Sequence, residues 1–223
     1  MKSKQLAGEH AATFVESGMT VGLGTGSTAI WAVRKIGEMV QQGLKIVGMP
    51  TSQETEALAI SLGIPLVGFE ESQHVDLTID GADEFDPEFT LIKGGGGALY
   101  REKMIASISE KMIVVCDESK SCQTLGQFPL PIEVVPFGWE VTASRLADLG
   151  VDPVLRMQDH DVFHTDNGNL ILDCQFGEIP DPAALHDMLK GWVGVVETGL
   201  FLEMANMIVV GKNDGTIEVL GSI

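Results

Sequence analysis

Leu6, Ala7, Ala11, Phe14 and Val15 recur at the three- and four-residue spacing that gathers apolar side chains on one helix face. Val21 to Gly24 is then a short apolar run opening into glycine-rich sequence, which predicts a buried strand. The alternation continues with a helix from Thr28 to about Gln42 and a strand over Lys45 to Met49. Thr51, with Glu54 three residues on, predicts a capping box for a helix ending near Leu62 and Gly63. Pro65 to Val67 and Val75 to Asp80 predict further strands. Leu99, Met104, Ile105 and Ile108 space out a helix over Ala98 to Lys111, and Met112 to Cys116 is a nearly continuous apolar strand. Strands of this kind alternating with helices predict a parallel sheet covered on both faces.

The pattern changes at Phe128 to Pro136, where Pro129, Pro131 and Pro136 favour extended backbone. Beyond them the sequence predicts a helix over Trp139 to Leu149 and strands on either side of the turn Asp166-Asn167-Gly168-Asn169. A helix starting near Asp181 and Pro182 and a strand over Val193 to Val196 follow. Met207 to Val210 and Thr216 to Leu220 read as strands that return to the first domain. The expected fold class is therefore α/β: a Rossmann-like parallel-sheet domain over 1–129 plus 201–223, with a second, smaller α+β domain over 130–200.

Composition narrows the function classes. The 223 residues are 44% hydrophobic and 21% charged, as in a compact globular chain, and no apolar run reaches the roughly 20 residues of a membrane helix. The N-terminus lacks the continuous apolar stretch of a secretion signal, so the expected location is the cytoplasm. Fourteen basic against thirty-two acidic side chains give a net charge of −18, a field that repels nucleic acid. A small anion is still admissible, because its site is governed by local backbone N–H groups and one or two lysines. Cys116, Cys122 and Cys174 show neither disulfide-framework nor zinc spacing and read as ordinary thiols.

Three segments carry candidate chemistry. Gly22-Leu23-Gly24-Thr25-Gly26-Ser27-Thr28 lies where a strand gives way to a helix, so free N–H groups and the hydroxyls of Thr25, Ser27 and Thr28 can surround a phosphate. A capped glycine turn is the plainer alternative. A dinucleotide fingerprint fits poorly, since Ser27 occupies its third glycine position and no ribose-binding acid ends the second strand. Thr78-Ile79-Asp80-Gly81-Ala82-Asp83-Glu84 puts carboxylates at the C-terminal mouth of a strand, where ligands bind in open α/β sheets. They can hold sugar hydroxyls or exchange protons; a calcium loop is disfavoured because Ala82 stands where a ligand is wanted, and a simple turn remains open. Lys93-Gly94-Gly95-Gly96-Gly97 is bounded by a strand pattern and a helix pattern, unlike a linker, so its bare backbone serves close approach. Lys93 can supply charge to an oxyanion, and Glu102 follows in the first turns of the next helix. His10, His74, His160, His164 and His186 fall outside all three segments, which disfavours a histidine base.

Together GTGST, DGADE, KGGGGAL and REK, then DESK at 117–120, GQFPLPIEVVP at 126–136, TDNGNLILD at 165–173 and GVVETGLF at 194–201, resemble the ribose-5-phosphate isomerases of the A type across nearly the whole chain. The resemblance implies interconversion of D-ribose 5-phosphate and D-ribulose 5-phosphate through an enediolate, in the non-oxidative pentose phosphate pathway, with no metal and no cofactor. It implies Glu102 as the base, Lys93 as partner of the developing oxyanion, and Asp80 and Asp83 as hydroxyl-binding acids that assist ring opening or proton exchange. Thr25, Gly26, Ser27 and Thr28, then Gly81 and Ala82, then Gly94, Gly95 and Gly96, match its substrate-binding positions. Lys120 matches a phosphate-binding lysine, with Lys4 as a further candidate. A homodimer or a tetramer of dimers is also implied. The rival functions are a sugar-phosphate sensor without chemistry and a related deaminase or CoA transferase. Retention of Asp80, Asp83, Lys93 and Glu102 together argues against the sensor, and the related enzymes are expected to show their own histidine or glutamate elements in place of KGGGGA with REK.

Overall fold

The structure, a computed structural model, describes residues 2–223. Along the chain run α1 (Lys2–Ala12), β1 (Thr20–Leu23), α2 (Ala29–Gln41), β2 (Val47–Pro50), α3 (Gln53–Ser61), β3 (Val75–Gly81), β4 (Glu84–Phe85) and β5 (Leu91–Ile92). Then come α4 (Leu99–Ser107), β6 (Ser109–Asp117), β7 (Leu130–Val134), α5 (Trp139–Asp148), β8 (Pro153–Leu155), β9 (Met157–Gln158) and β10 (Asp161–Val162). The last elements are β11 (Leu170–Cys174), α6 (Pro182–Lys190), β12 (Val195–Thr198), β13 (Leu200–Phe201), β14 (Met207–Gly211) and β15 (Ile217–Gly221). These form two compact units, one of 2–82, Arg101–Lys120 and Met204–Ile223, the other of Asp83–Tyr100 and Ser121–Glu203.

The first unit is built on a six-stranded sheet of order β15-β14-β6-β3-β1-β2. Its pairings are parallel except β14 with β15. The central strands are apolar because both faces are covered: Val21, Leu23, Leu77, Ile79, Ile113, Val115 and Val209 share one core with Ala7, Ala11, Ala32, Val33 and Ile36 of α1 and α2, while Met49 and Val75 pack with Ile105 of α4. In register, Leu23 lies beside Ile79, Asp80 beside Val114, and Asp117 beside Gly211. The ends of β1, β3 and β6 therefore share one sheet edge. The sheet order reverses direction at β1, with β2 on one side and β3 on the other, and such a switch point opens a crevice at the carboxyl ends of the strands.

Three local expectations are corrected. α3 is capped by Ser52, whose hydroxyl accepts from Thr55 N at 3.0 Å, while Thr51 is fully buried and donates to the Leu23 carbonyl. Pro65 to Val67 is not a strand, only a single bridge between Leu66 and Gly48. α4 ends at Ser107 and β6 begins at Ser109, so the expected Ala98–Lys111 helix gives up its last turn to the sheet, where Lys111 pairs with Leu77.

The second unit holds an antiparallel sheet β12-β7-β11-β8, a three-stranded sheet β13-β5-β4 and the pair β10-β9. Its core gathers Leu130, Ile132, Val134, Leu170, Leu172 and Cys174 under Leu146 of α5 and Leu189 of α6. Asp181 caps α6 by accepting from Ala184 N at 2.9 Å, with Pro182 opening the helix. Residues 83–100, expected in the first domain, belong to this unit because β5 pairs with β13 and Glu84 accepts from Gly126 N and Phe128 N at 2.8 and 2.7 Å.

One buried acid of this core has a measurable signature. Glu133, fully buried on β7, accepts from Thr165 Oγ1 and Asn169 Nδ2, both at 2.9 Å. Burial raises its carboxyl above the ordinary value and nearby Glu197 adds to this, against the lowering effect of Asn169, Thr165 and the Tyr100 backbone. A raised acid holds its proton more tightly folded than unfolded. Its contribution to stability is therefore complete below the ordinary value of 4.5 and is lost as pH rises through the folded value. Glu133→Gln is expected to flatten the fall in Tm between acid and neutral pH; equal slopes in the two proteins would remove Glu133 as its source.

Candidate active site

In the first unit, β1 ends at Leu23 and the chain turns through Gly24 to Thr28 into α2. Gly24 is required by contact: a Cβ there would stand 2.4 Å from both Asp80 Oδ1 and the Ile79 carbonyl. This closeness lets Asp80, fully buried at the end of β3, accept from Thr25 N at 3.0 Å and from Gly81 N at 2.7 Å through one oxygen. The first aspartate of the DGAD segment thus fixes the glycine-threonine loop.

The loop's hydroxyls divide. Thr25 Oγ1 turns inward, within 2.7, 2.8 and 3.1 Å of the hydroxyls of Thr51, Ser52 and Thr55, and supports the loop from beneath. Ser27 is exposed, and Thr28, at the N-cap of α2, makes no side-chain capping bond. Lys4 Nζ donates to Ser27 Oγ at 2.8 Å and stands 3.7 Å from Asp117 Oδ2. Lys120 follows in the turn after β6. Burial works to raise the Asp117 carboxyl, but hydrogen bonds from Ser119 and the charges of Lys4 and Lys120 outweigh it and hold it below the usual carboxylate range. Lys4 and Lys120 thus bring two ammonium groups to this edge, beside a helix N-terminus, on a strongly acidic chain.

Glu102 is 5% exposed and lies in the first turn of α4. A carboxylate so placed is shielded from water and held on a rigid element, as a proton-transferring group must be.

In the second unit, Asp83 follows Ala82 directly and its N–H donates to the Ile92 carbonyl at 2.8 Å. Asp83 Oδ2 accepts from Gly95 N at 2.7 Å. A Cβ on Gly95 would come 2.7 Å from Asp83 Oδ1, so only glycine allows that approach. The second aspartate thus does for the KGGGG loop what Asp80 does for the GTGST loop. Lys93 is 2% exposed, its N–H bonds the Gly199 carbonyl at 2.9 Å, and its ammonium lies 5.3 Å from the centre of the Phe201 ring. Burying an ammonium is costly, and a cation on an aromatic face at the mouth of a glycine loop suits transient interaction with an anion. Glu84, by contrast, is structural: its two bonds to the Gly126–Phe128 segment leave it out of the chemistry.

Sequence reasoning placed Lys4 only loosely and missed Asp117, although the DESK run at 117–120 contains it. It also missed Arg156, which bonds the glycine loop, and Asp173, which holds Arg156. Among the described residues, the metal-type donors that converge are His74, Asp76 and Glu110, with ligand atoms within 4.8 Å of one another. They sit at the start of β3 and β6, at the sheet edge opposite Asp80 and Asp117.

Comparison with known proteins identifies the family. Residues 47–215 match the family described as Ribose 5-phosphate isomerase A (phosphoriboisomerase A). Ribose-5-phosphate isomerase A of Bacillus mycoides is 53% identical over 219 residues, covering 98% of this chain and 99% of that protein. The solved ribose 5-phosphate isomerase of Plasmodium falciparum superposes with a TM-score of 0.96 at 40% identity, covering 100% of this chain and 99% of that one. A D-ribose-5-phosphate isomerase in complex with phospho-erythronic acid superposes at 0.94 with 38% identity, covering 99% of this chain and 98% of that one. By sequence across almost its full length, and by fold, the chain belongs to the ribose 5-phosphate isomerase A family.

Proposed function

We propose that the chain interconverts D-ribose 5-phosphate and D-ribulose 5-phosphate, with Glu102 carrying a proton between C2 and C1. The observation that bears most of the weight is Glu102 itself: a buried carboxylate three residues past the start of the helix that follows the KGGGG loop. In the open-chain aldose, Glu102 removes the C2 proton. The C–H electron pair becomes the C1–C2 double bond, and negative charge develops on O1. Lys93 and N–H groups of Gly94, Gly95 and Gly96 oppose that charge. Asp80 and Asp83 bind hydroxyls and assist ring opening or the proton exchange between O1 and O2. Glu102 then returns its proton to C1, giving the ketose, so one base serves both half-reactions. Ser27, Thr28, Gly26, Lys4 and Lys120 hold the phosphate, with Thr25 bracing their loop and Gly81 and Ala82 lining the sugar side.

This reading needs no metal and no redox cofactor. It carries with it a cytoplasmic setting in the non-oxidative pentose phosphate pathway and a homodimer or tetramer; no helix among the described residues is long and apolar enough to cross a membrane. The test is to incubate the purified protein with ribose 5-phosphate and a chelator in deuterated water. Ketose should form, with deuterium entering carbon-bound positions. Binding of the sugar phosphate without conversion would leave a sensor in its place.

A further inference from the structure

Arg156 lies between β8 and β9, outside every segment singled out for chemistry, yet its guanidinium meets the glycine loop. Nη1 donates to the Gly94 carbonyl at 2.8 Å and to the Gly95 carbonyl at 3.2 Å. The other edge of the fork is occupied by Asp173 on β11, which accepts from Nε at 2.8 Å and from Nη2 at 2.5 Å. Arg156 is itself pinned by its backbone: its N–H bonds the Ile171 carbonyl at 2.9 Å, and its carbonyl accepts from Phe163 N at 3.0 Å. The Phe163 ring centre stands 5.8 Å from the guanidinium carbon. The Arg156 side chain is only 14% exposed.

The consequence follows from peptide geometry. The Gly94 carbonyl and the Gly95 N–H belong to one trans peptide and point in opposite directions. Arg156 pulls on the oxygen side of that unit, while Asp83 Oδ2 accepts from its nitrogen side at 2.7 Å. A cation on the carbonyl polarises the amide and strengthens the N–H as a donor. The Gly95 carbonyl, held by the same nitrogen, likewise sets the direction of the Gly96 N–H. Four glycines in succession have no side chains to fix their peptide planes. The Gly97 N–H closes a turn onto the Gly94 carbonyl at 3.0 Å, and a further hold on the Gly94 and Gly95 carbonyls comes from an arginine anchored by a carboxylate.

We propose that Arg156, oriented by Asp173, is a positioning residue for the reaction: it sets the peptide planes of the Lys93–Gly96 loop and, through the Gly94–Gly95 peptide, the placement of the Asp83 carboxylate. The proposal rests on the reading that Asp83, Lys93 and this loop handle the substrate. Arg156 touches no reacting atom; it keeps the donors that do in register.

The test is steady-state kinetics on Arg156→Ala, Arg156→Lys and Asp173→Asn, with Tm measured alongside. Arg156→Ala should lose about 10- to 100-fold in kcat with KM changed by no more than about threefold, as misplacement of a catalytic group does. Added guanidinium should restore part of the loss at sub-denaturing concentration. Arg156→Lys keeps the charge but not the fork and should be impaired too; it decides the matter by the same kcat criterion if the alanine variant does not fold. A folded variant within about twofold of wild-type kcat overturns the proposal, and so does a loss that tracks Tm across the three variants and ignores guanidinium. Lys93→Ala, run in parallel, separates the two levels: full activity there would defeat the reading of the loop whatever Arg156 does.

Discussion

Glu102→Gln is expected to bind ribose 5-phosphate nearly as well as the parent enzyme and to lose roughly two to four decades of kcat, the scale of a removed general base. The substitution keeps the size and hydrogen-bonding reach of the side chain while abolishing its ability to take a proton. Because Glu102 is buried in the first turn of α4, the amide occupies the same space and the helix should be undisturbed. Calorimetric titration with ribose 5-phosphate and a turnover assay check the two halves separately. Exchange of solvent deuterium into the unconverted aldose should fall in step with kcat, because both need the same proton removal. Near-full turnover would mean that another group is the base.

Lys93→Ala ranks next, with an expected loss of about 10²- to 10³-fold in kcat and a smaller rise in KM, as for other donors aimed at a developing oxyanion. The alanine also empties the space over Phe201, so Lys93→Met is the companion variant: it preserves the hydrocarbon contact and removes only the charge. If charge is what matters, the two variants should fall together in kcat. Equal losses in binding and turnover would instead make Lys93 a ground-state contact, and a full rate in Lys93→Met would leave the ammonium without a part in the chemistry.

What was legible in the sequence was whatever physical chemistry writes locally. β3 and β6 are buried on both faces, so Val75 to Asp80 and Met112 to Cys116 announce themselves as apolar runs; strand ends in such a sheet are where glycines and acids collect. Boundaries failed where two signals overlap. Ile108 and Met112 satisfy helical spacing as well as strand spacing, so the break at Ser107 cannot be seen until Lys111 has its partner Leu77. Thr51 and Ser52 are adjacent hydroxyls with equal claims to a cap; burial of Thr51 against the Leu23 carbonyl decides between them, and that contact spans 28 residues.

The same limit applied to the candidate site. GTGST, DGAD and KGGGG are contiguous and could be read, whereas the groups that hold them are distant. Arg156 is 62 residues from Gly94 and 17 from Asp173, and a lone arginine in a short loop has no spacing that marks it. Likewise Leu91-Ile92 is too short to show a period, and its pairing with Leu200-Phe201 is what draws residues 83–100 into the second unit.

The interleaved strand order also bears on biogenesis. β14 is the neighbour of β6 in the six-stranded sheet, yet it lies close to the end of the chain. While the polypeptide emerges from the ribosome, the long hydrophobic edge of β6 has no mate until residues 207–211 are made. Any nascent or prematurely terminated chain that stops short of them presents an open template for aggregation.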